Sequence, residues 1–239
     1  MRTAHFRSFF ITLLFLGCKA DPNTIESSTF TDGQEPASNK TIVNFLALGD
    51  SYTIGEGVDE NERWPNQLKD SLMAYWDPKV EIDFVAQTGM TTAELNAAMT
   101  NAQLLDSYDF ISIQIGVNDQ FRGYAVEEFR AELSILIQTA LNLNLQNKKG
   151  IILLSIPDWG ATPFGINYDR SQVSDEIDEF NRIIRAQADA LNIKYINITT
   201  ISRQDANDQT LVTGDGLHPS SKMYSYWVEE VLKEIKNLY

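Results

Sequence analysis

Hydrophobic and polar positions follow two different patterns along the chain after about residue 41. Short apolar runs, typical of strands buried on both faces, occupy 42–48, 80–85, 110–115, 151–156 and 194–198. Longer segments with the apolar spacing of amphipathic helices occupy 64–76, 92–101, 126–145, 174–191 and 223–238. Because the strands alternate with helices, the pattern predicts a three-layer α/β/α sandwich around a parallel sheet.

The first 17 residues are patterned differently. Arg2 and Arg7 precede an apolar stretch at 9–16 that is too short to span a bilayer, which predicts an export signal peptide over 1–17. Leu14-Phe15-Leu16-Gly17-Cys18 resembles a bacterial lipobox, in which the signal is cut before a cysteine that then receives lipid. We therefore expect an exported lipoprotein of the bacterial cell envelope, anchored through Cys18.

Other interpretations of this N-terminus remain open, because Phe15 and Leu16 are bulkier than most lipoboxes allow. An ordinary secretory signal would give a periplasmic or secreted protein, and a buried N-terminal helix would give neither. Residues 18–40 are rich in small polar residues and proline and poor in apolar ones, so they predict a flexible tether. Residues 41–239 then form one globular domain.

Composition and charge narrow the function classes. The chain has 239 residues, of which 43% are hydrophobic, which is enough for a large core and excludes disorder as its main character. Its 19 Lys and Arg against 33 Asp and Glu give a net charge of -14. Since negative charge opposes both a phosphate backbone and an anionic bilayer, we expect no nucleic-acid partner and membrane contact only through a lipidated N-terminus.

Cysteine and histidine are scarce. Cys18 is the single cysteine, which excludes an intrachain disulfide and a thiolate metal cluster. His5 lies in the predicted signal peptide, so His218 is the one histidine of the expected mature chain. A zinc site is therefore improbable, and we expect neither a metal nor another cofactor.

Four polar turns that contain glycine follow predicted strands or lie near the C-terminus. They are Gly49-Asp50-Ser51-Tyr52, Gln87-Thr88-Gly89-Met90, Gly116-Val117-Asn118-Asp119 and Asp215-Gly216-Leu217-His218-Pro219. In an open parallel sheet the functional residues gather beyond the carboxyl ends of the strands. These turns should therefore meet at the carboxyl edge of the sheet, which we call the rim.

The residue types in these turns suit nucleophilic catalysis. Ser51 lies where a strand passes into a helix and offers a hydroxyl nucleophile, and His218 is the available general base. Asp215 can bind the far ring nitrogen of His218. The backbone N–H of Gly89 and the side-chain amide of Asn118 can stabilise a developing oxyanion.

Plainer structural roles exist for each of these residues. Ser51 and Asn118 could serve as helix caps, Gly89 could permit a left-handed turn, and Asp215-Gly216 is ordinary turn chemistry. The ordered set of four turns favours the catalytic interpretation over these. Asp50 and Asp119 are interpreted as turn and network residues, outside the catalytic set.

The set resembles the SGNH hydrolases, also called GDSL esterases and lipases, from residue 42 to the final helix. The resemblance implies a flavodoxin-like sheet of five parallel strands and no cofactor. It implies Ser51 as nucleophile, His218 as base and Asp215 as the third triad member. The oxyanion hole would consist of the Ser51 N–H, the Gly89 N–H and the Asn118 amide. An α/β-hydrolase is disfavoured, because Thr53 stands where the Gly-x-Ser-x-Gly elbow needs glycine.

The substrate is less well specified than the chemistry. Residues 157–164 are rigid and apolar, and within them Trp159, Pro163 and Phe164 are candidates for an acyl or leaving-group pocket, with simple loop packing equally favoured. The connections leave no room for a long lid, so we expect an esterase for short acyl groups, for example acetyl groups on carbohydrate. The alternatives are a lysophospholipase or thioesterase of the same family, or a catalytically silent surface lipoprotein.

Overall fold

A computed structural model describes residues 42–204 and 208–235 of the chain. The predicted signal peptide, the predicted tether and Cys18 lie outside these residues, so those assignments stay predictions.

Within the described residues, five strands form one sheet. They are β1 (Ile42–Gly49), β2 (Lys79–Ala86), β3 (Phe110–Gln114), β4 (Ile151–Leu154) and β5 (Lys194–Ile196). Every neighbouring pair is parallel, and the strand order is β2-β1-β3-β4-β5. This is the flavodoxin-like order, so the predicted fold class is confirmed.

Helices cover both faces of the sheet. They are α1 (Ser51–Ile54), α2 (Trp64–Trp76), α3 (Thr92–Asn101), α4 (Val117–Phe121), α5 (Val126–Leu143), α6 (Arg170–Leu191), α7 (Thr199–Ser202) and α8 (Ser221–Ile235). α2 packs against α8 in one layer, and α3, α5 and α6 pack in succession in the other. Across 42–204 and 208–235, no helix is both long enough and apolar enough to cross a bilayer.

Burial on both faces explains why the strands are continuous apolar runs in the sequence. All five residues of β3 and all four of β4 are buried, because helices cover both faces of these central strands. α6 instead alternates buried and exposed positions, and its buried stripe includes Val173, Ile177 and Phe180. The sheet is thereby packed between two helix layers.

Among the described residues, three helix boundaries differ from the prediction. α8 begins at Ser221 instead of 223, and the other two differences have local reasons. α5 ends at Leu143 instead of 145, because Leu145 and Gln146 adopt left-handed backbone angles, with φ of 51° and 63°. α6 begins four residues before 174, because the Asp169 carboxylate accepts hydrogen bonds from the first free N–H groups of the helix. None of the three changes moves a strand or a turn of the rim.

Candidate active site

The four turns singled out in the sequence meet at the carboxyl edge of the sheet. β1 and β3 are neighbours there, and the chain leaves them toward opposite helix layers, toward α2 after β1 and toward α5 after β3. Divergence of this kind opens a crevice in doubly wound sheets. Ser51 follows β1 and Asn118 follows β3, so both lie beside this crevice.

The turn after β1 presents Ser51 as the first residue of α1. The helix cap is Asp50, whose carboxylate accepts a hydrogen bond from the Tyr52 N–H at 3.0 Å, so capping does not use the Ser51 hydroxyl. Thr53 donates to the buried amide oxygen of Gln114 at 3.2 Å, which ties α1 to the end of β3. A Cβ on Gly49 would lie 2.1 Å from the Thr53 hydroxyl, so this close approach requires glycine.

Ser51, His218 and Asp215 form a continuous hydrogen-bond chain. His218 Nε2 lies 3.0 Å from Ser51 Oγ, and His218 Nδ1 lies 2.6 Å from Asp215 Oδ2. Ser51 and His218 are buried, and the ring of Tyr52 packs 5.2 Å from the imidazole. Because the carboxylate holds the proton of neutral imidazole on Nδ1, Nε2 is left to accept the serine proton.

The Asp215 carboxylate is held by its own loop as well as by the imidazole. Its Oδ1 atom accepts hydrogen bonds from the N–H groups of Leu217 and His218 and from the Thr213 hydroxyl, at 2.8, 3.0 and 2.8 Å. Partial burial alone would raise the pKa of Asp215, but these hydrogen bonds together with that from His218 outweigh it and lower the pKa to about 2. The carboxylate is therefore charged at neutral pH and can stabilise an imidazolium.

The three oxyanion donors predicted from the sequence lie on three separate turns, with the Ser51 N–H after β1 and the other two at Gly89 and Asn118. Gly89 has a φ of 78°, a left-handed conformation that glycine adopts without strain. The Asn118 amide nitrogen lies 3.1 Å from the Met90 carbonyl, which joins the two turns, and 3.4 Å from the carboxylate of Asp50. α4 is capped by Gly116, so Asn118 lies within the helix and is not its cap.

Two buried carboxyl groups support these donors without reaching the triad. Burial, with a smaller contribution from the nearby charge of Asp119, raises the pKa of Asp50 to about 7, against the opposing hydrogen bond from the Tyr52 N–H. Burial also raises the pKa of Asp119, although the Thr92 N–H and hydroxyl donate to it at 3.0 and 3.1 Å. Both residues are thus network residues of the rim, as interpreted from the sequence.

Arg122 is a residue of the rim that the sequence interpretation missed. Its guanidinium donates to the Gly89 carbonyl at 2.5 Å and pairs with Glu94 at 3.2 Å. Glu94 in turn accepts a hydrogen bond from the Thr91 N–H in the capping box of α3. Arg122 therefore clamps the Gly89 turn to the α4 region. The sequence offered one indication that Arg122 lies at the rim. It follows Asn118 by four residues, and residues at that spacing share a helix face.

The space next to the donors is polar on one side and aromatic on another. A pocket of about 400 Å³ at the Gly89 turn is lined by Gln87, Thr88, Gly89, Met90, Glu94 and Arg122. Three residues were predicted from the sequence to line a substrate pocket. Trp159 is buried, with 4% of its surface exposed, whereas Pro163 is half-buried and Phe164 is exposed. Pro163 also lies against Gly216 of the Asp215–His218 loop.

A second cavity lies away from the rim. A hollow of about 390 Å³ beside β5 shares no residue with the rim and is lined mainly by charged and polar side chains of α6, β5 and α8. Within 42–204 and 208–235, no cluster of three or more His, Cys, Asp or Glu side chains is arranged to hold a metal ion. The predicted nucleophile, base and oxyanion donors all lie at the rim.

Comparison with known proteins gives one family. The model of the GDSL-like Lipase/Acylhydrolase family matches residues 47–226, which include all four turns. An acetylxylan esterase of Geobacillus stearothermophilus is 27% identical over 214 residues, covering 80% of this chain and 92% of that protein. An arylesterase of Vibrio mimicus is 27% identical over 138 residues, covering 56% of this chain and 66% of that protein.

Solved structures agree on the fold. The lipase/acylhydrolase of Enterococcus faecalis superposes with a TM-score of 0.66 at 22% identity, covering 82% of this chain and 96% of that one. The acetylxylan esterase Axe2 of Geobacillus stearothermophilus gives 0.64 at 21% identity, covering 81% of this chain and 94% of that one.

Proposed function

Because the chain belongs to the GDSL-like lipase/acylhydrolase family, we propose that it hydrolyses carboxylic esters of short acids through an acyl-enzyme on Ser51. Family membership makes the chain a hydrolase, and the relatives named as esterases support ester substrates. The observation that carries the mechanism is the hydrogen-bond chain from Asp215 through His218 to Ser51.

In the first half-reaction Ser51 Oγ attacks the ester carbonyl while His218 Nε2 takes the hydroxyl proton. The negative charge that develops on the carbonyl oxygen is stabilised by the N–H groups of Ser51 and Gly89 and by the Asn118 amide. The imidazolium, held by the charged Asp215, then gives its proton to the alcohol oxygen. The C–O bond breaks, the alcohol leaves, and the acyl group stays on Ser51.

The second half-reaction repeats these steps with water. His218 Nε2 takes a proton from the water as its oxygen attacks the acyl carbonyl, and the same donors stabilise the second tetrahedral intermediate. The proton then returns to Ser51 Oγ as the acid is released. Every proton transfer in this scheme uses one atom, His218 Nε2, which lies 3.0 Å from the nucleophile.

The surroundings of the donors support a short acid. A buried methylene stabilises a complex by roughly 0.8 kcal/mol only where its surroundings are apolar. The pocket at the Gly89 turn is instead lined by polar and charged side chains, among them Gln87, Glu94 and Arg122. The acetylxylan esterase relative is named for an acetyl ester on a carbohydrate, and we propose esters of that kind as one substrate class.

Initial rates on nitrophenyl esters from acetate to palmitate test the acid preference. We expect the highest kcat/KM for acetyl to butyryl esters and a steep fall beyond about eight carbons, because further methylenes meet polar and charged side chains at the Gly89 turn. A maximum at the palmitoyl ester, measured below its micelle concentration, would contradict the proposal and favour the lysophospholipase or thioesterase alternative.

Substitution of the triad tests the mechanism. Ser51→Ala or His218→Ala should lower kcat by on the order of 10³-fold or more, because nucleophile and base act as one unit. Asn118→Ala should lower kcat by roughly 10²–10³-fold through the lost oxyanion donor. A wild-type protein that hydrolysed no ester would point to the catalytically silent alternative.

We also propose that the protein is exported and carries lipid on Cys18. The support is the sequence alone, namely the basic N-terminus, the short apolar stretch and the Gly17-Cys18 pair.

A further inference from the structure

Three exposed aromatic rings form a cluster at the rim, which we call the aromatic platform. It consists of Phe121, Phe164 and Tyr168, with 49%, 36% and 45% of their surfaces exposed. All three surround the buried ring of Trp159, at centroid distances of 5.3, 6.0 and 4.8 Å. Phe164 and Tyr168 are stacked at 5.6 Å. Contiguous exposed apolar side chains of this kind mark a binding surface.

The aromatic platform is attached to both halves of the candidate active site. The Phe164 N–H donates to the Gly216 carbonyl at 2.9 Å, and Gly216 belongs to the loop that carries Asp215 and His218. Phe121 ends α4, the helix that carries Asn118. The Trp159 indole N–H donates to Gln120 of the same helix at 2.7 Å, which fixes the ring beneath the platform.

This attachment relates the aromatic platform to the alcohol portion of an ester. His218 Nε2 must give its proton to the leaving oxygen, so the alcohol departs next to the loop that carries His218. The platform is hydrogen-bonded to that loop, whereas the polar pocket belongs to the Gly89 turn. The aromatic platform is therefore placed to contact the alcohol portion of the substrate, and the polar pocket is placed to contact the acyl portion.

The chemistry of the aromatic platform selects the kind of alcohol. Its rings offer flat apolar faces, and the two Phe side chains carry no polar atom. The net charge of -14 disfavours an anionic alcohol such as a phosphate-bearing headgroup. Resting on the proposed esterase function, we infer that the aromatic platform binds a flat, uncharged ring in the alcohol portion of the ester. A pyranose with its C–H face and an aryl ring share this chemistry.

Three acetate esters test the inference, because all of them leave the same acetyl group on the enzyme and differ in the alcohol alone. They are phenyl acetate, peracetylated methyl β-xyloside and ethyl acetate. For each protein the measured quantity is the ratio of kcat/KM for a ring ester to kcat/KM for ethyl acetate. In Phe164→Ala and Tyr168→Ala this ratio should fall about tenfold relative to wild type. The ring ester whose ratio falls identifies the alcohol as a sugar or an aryl group.

Two further variants separate ring binding from other effects. Tyr168→Phe keeps the ring and should keep the wild-type ratio. Tyr75→Ala removes an exposed aromatic side chain near the end of α2, before β2 begins and away from the rim, and should also keep it. Unchanged ratios in both platform variants, or an equal loss on ethyl acetate and the ring esters, would overturn the inference. A wild type inactive on all three acetates would overturn the proposed function, and the inference with it.

Discussion

Asp50 is a carboxyl group buried directly beside the nucleophile. Its two oxygens lie 3.0 Å from the Tyr52 N–H and 3.4 Å from the Asn118 amide nitrogen. Burial, reinforced by the nearby charge of Asp119, raises the pKa of Asp50 from 3.8 to about 7. The folded protein therefore keeps a proton on Asp50 over a pH range in which the unfolded chain has released it.

This difference predicts how stability depends on pH. Because the folded state binds the extra proton, the free energy of unfolding should fall as pH rises from about 4 to about 8, by a few kcal/mol from this group. In Asp50→Asn the side chain cannot ionise, so its contribution to the fall of the free energy of unfolding with pH should disappear. Urea unfolding of both proteins across the range measures the difference. A gap between wild type and Asp50→Asn that stayed constant with pH would contradict the assignment.

Arg122 contacts the proposed oxyanion site, because its guanidinium donates a hydrogen bond to the Gly89 carbonyl at 2.5 Å. Removing an oxyanion donor outright costs roughly 10²–10³-fold in kcat, so loosening one by loss of its clamp should cost about tenfold. Arg122→Gln should therefore lower kcat by about tenfold with little change in KM, and Arg122→Lys should recover part of the loss. Steady-state kinetics on nitrophenyl acetate measures both constants.

Arg130→Gln is the matched control for Arg122→Gln. Arg130 is also an exposed arginine paired with a glutamate, Glu127, but it lies on α5 and its partner is on the same helix. Arg130→Gln should leave kcat at the wild-type value. If Arg122→Gln raised KM and left kcat unchanged, Arg122 would be a substrate contact instead of a positioning residue.

Among the secondary-structure elements, the junction of β1 with α1 is the most tightly constrained at the rim. A methyl group on Gly49 would meet the Thr53 hydroxyl at 2.1 Å and the Gln114 backbone oxygen at 2.5 Å. Gly49→Ala should therefore destabilise the fold by about 1–3 kcal/mol, as overpacked core substitutions do, and displace Ser51.

Gly214→Ala provides the comparison, since a methyl group there meets nothing within 4 Å. Its free energy of unfolding should stay within about 0.5 kcal/mol of wild type, as for ordinary surface substitutions. Urea unfolding measures both variants. Equal stabilities for Gly49→Ala and wild type would show that the junction can relax, against the account given for it.

The long elements were predictable from the sequence because their periodicity is strong. β1 through β5 were all found, and α2 and α3 were placed at their observed ends. The short helices α1, α4 and α7 have four or five residues, too few to show a helical period. The sequence therefore predicted a helix start at Ser51 but no bounds for any of the three. The Asp50 side chain caps α1, whereas no described side chain caps α4 or α7.

The contacts of the rim could be predicted only in part. The four turns were located because parallel strands end at one edge, but the Arg122 clamp on Gly89 and the rings around Trp159 join residues that no local pattern connects. Phe121 and Tyr168 were missed for this reason, since α4 and the segment after β4 become neighbours only in the folded chain.

In the cell, we propose that the whole molecule is attached to a membrane through its N-terminus. Cys18→Ser should move the protein from the detergent-extracted membrane fraction to the soluble fraction, because a lipid-bearing terminus no longer forms. Esterase activity should persist, since residues 47–226 hold the family match and the four turns. Mass spectrometry of the mature N-terminus measures the modification directly, and an unmodified terminus at another residue would contradict it.

The central claim is that Ser51 carries the acyl group between the two half-reactions. Acid quenching during turnover of nitrophenyl acetate, followed by peptide mass spectrometry, tests it most directly. We expect one acetyl group on the peptide that contains Ser51, and none on the same peptide of Ser51→Ala. Acetylation confined to another residue, or full esterase activity in purified Ser51→Ala, would contradict the account.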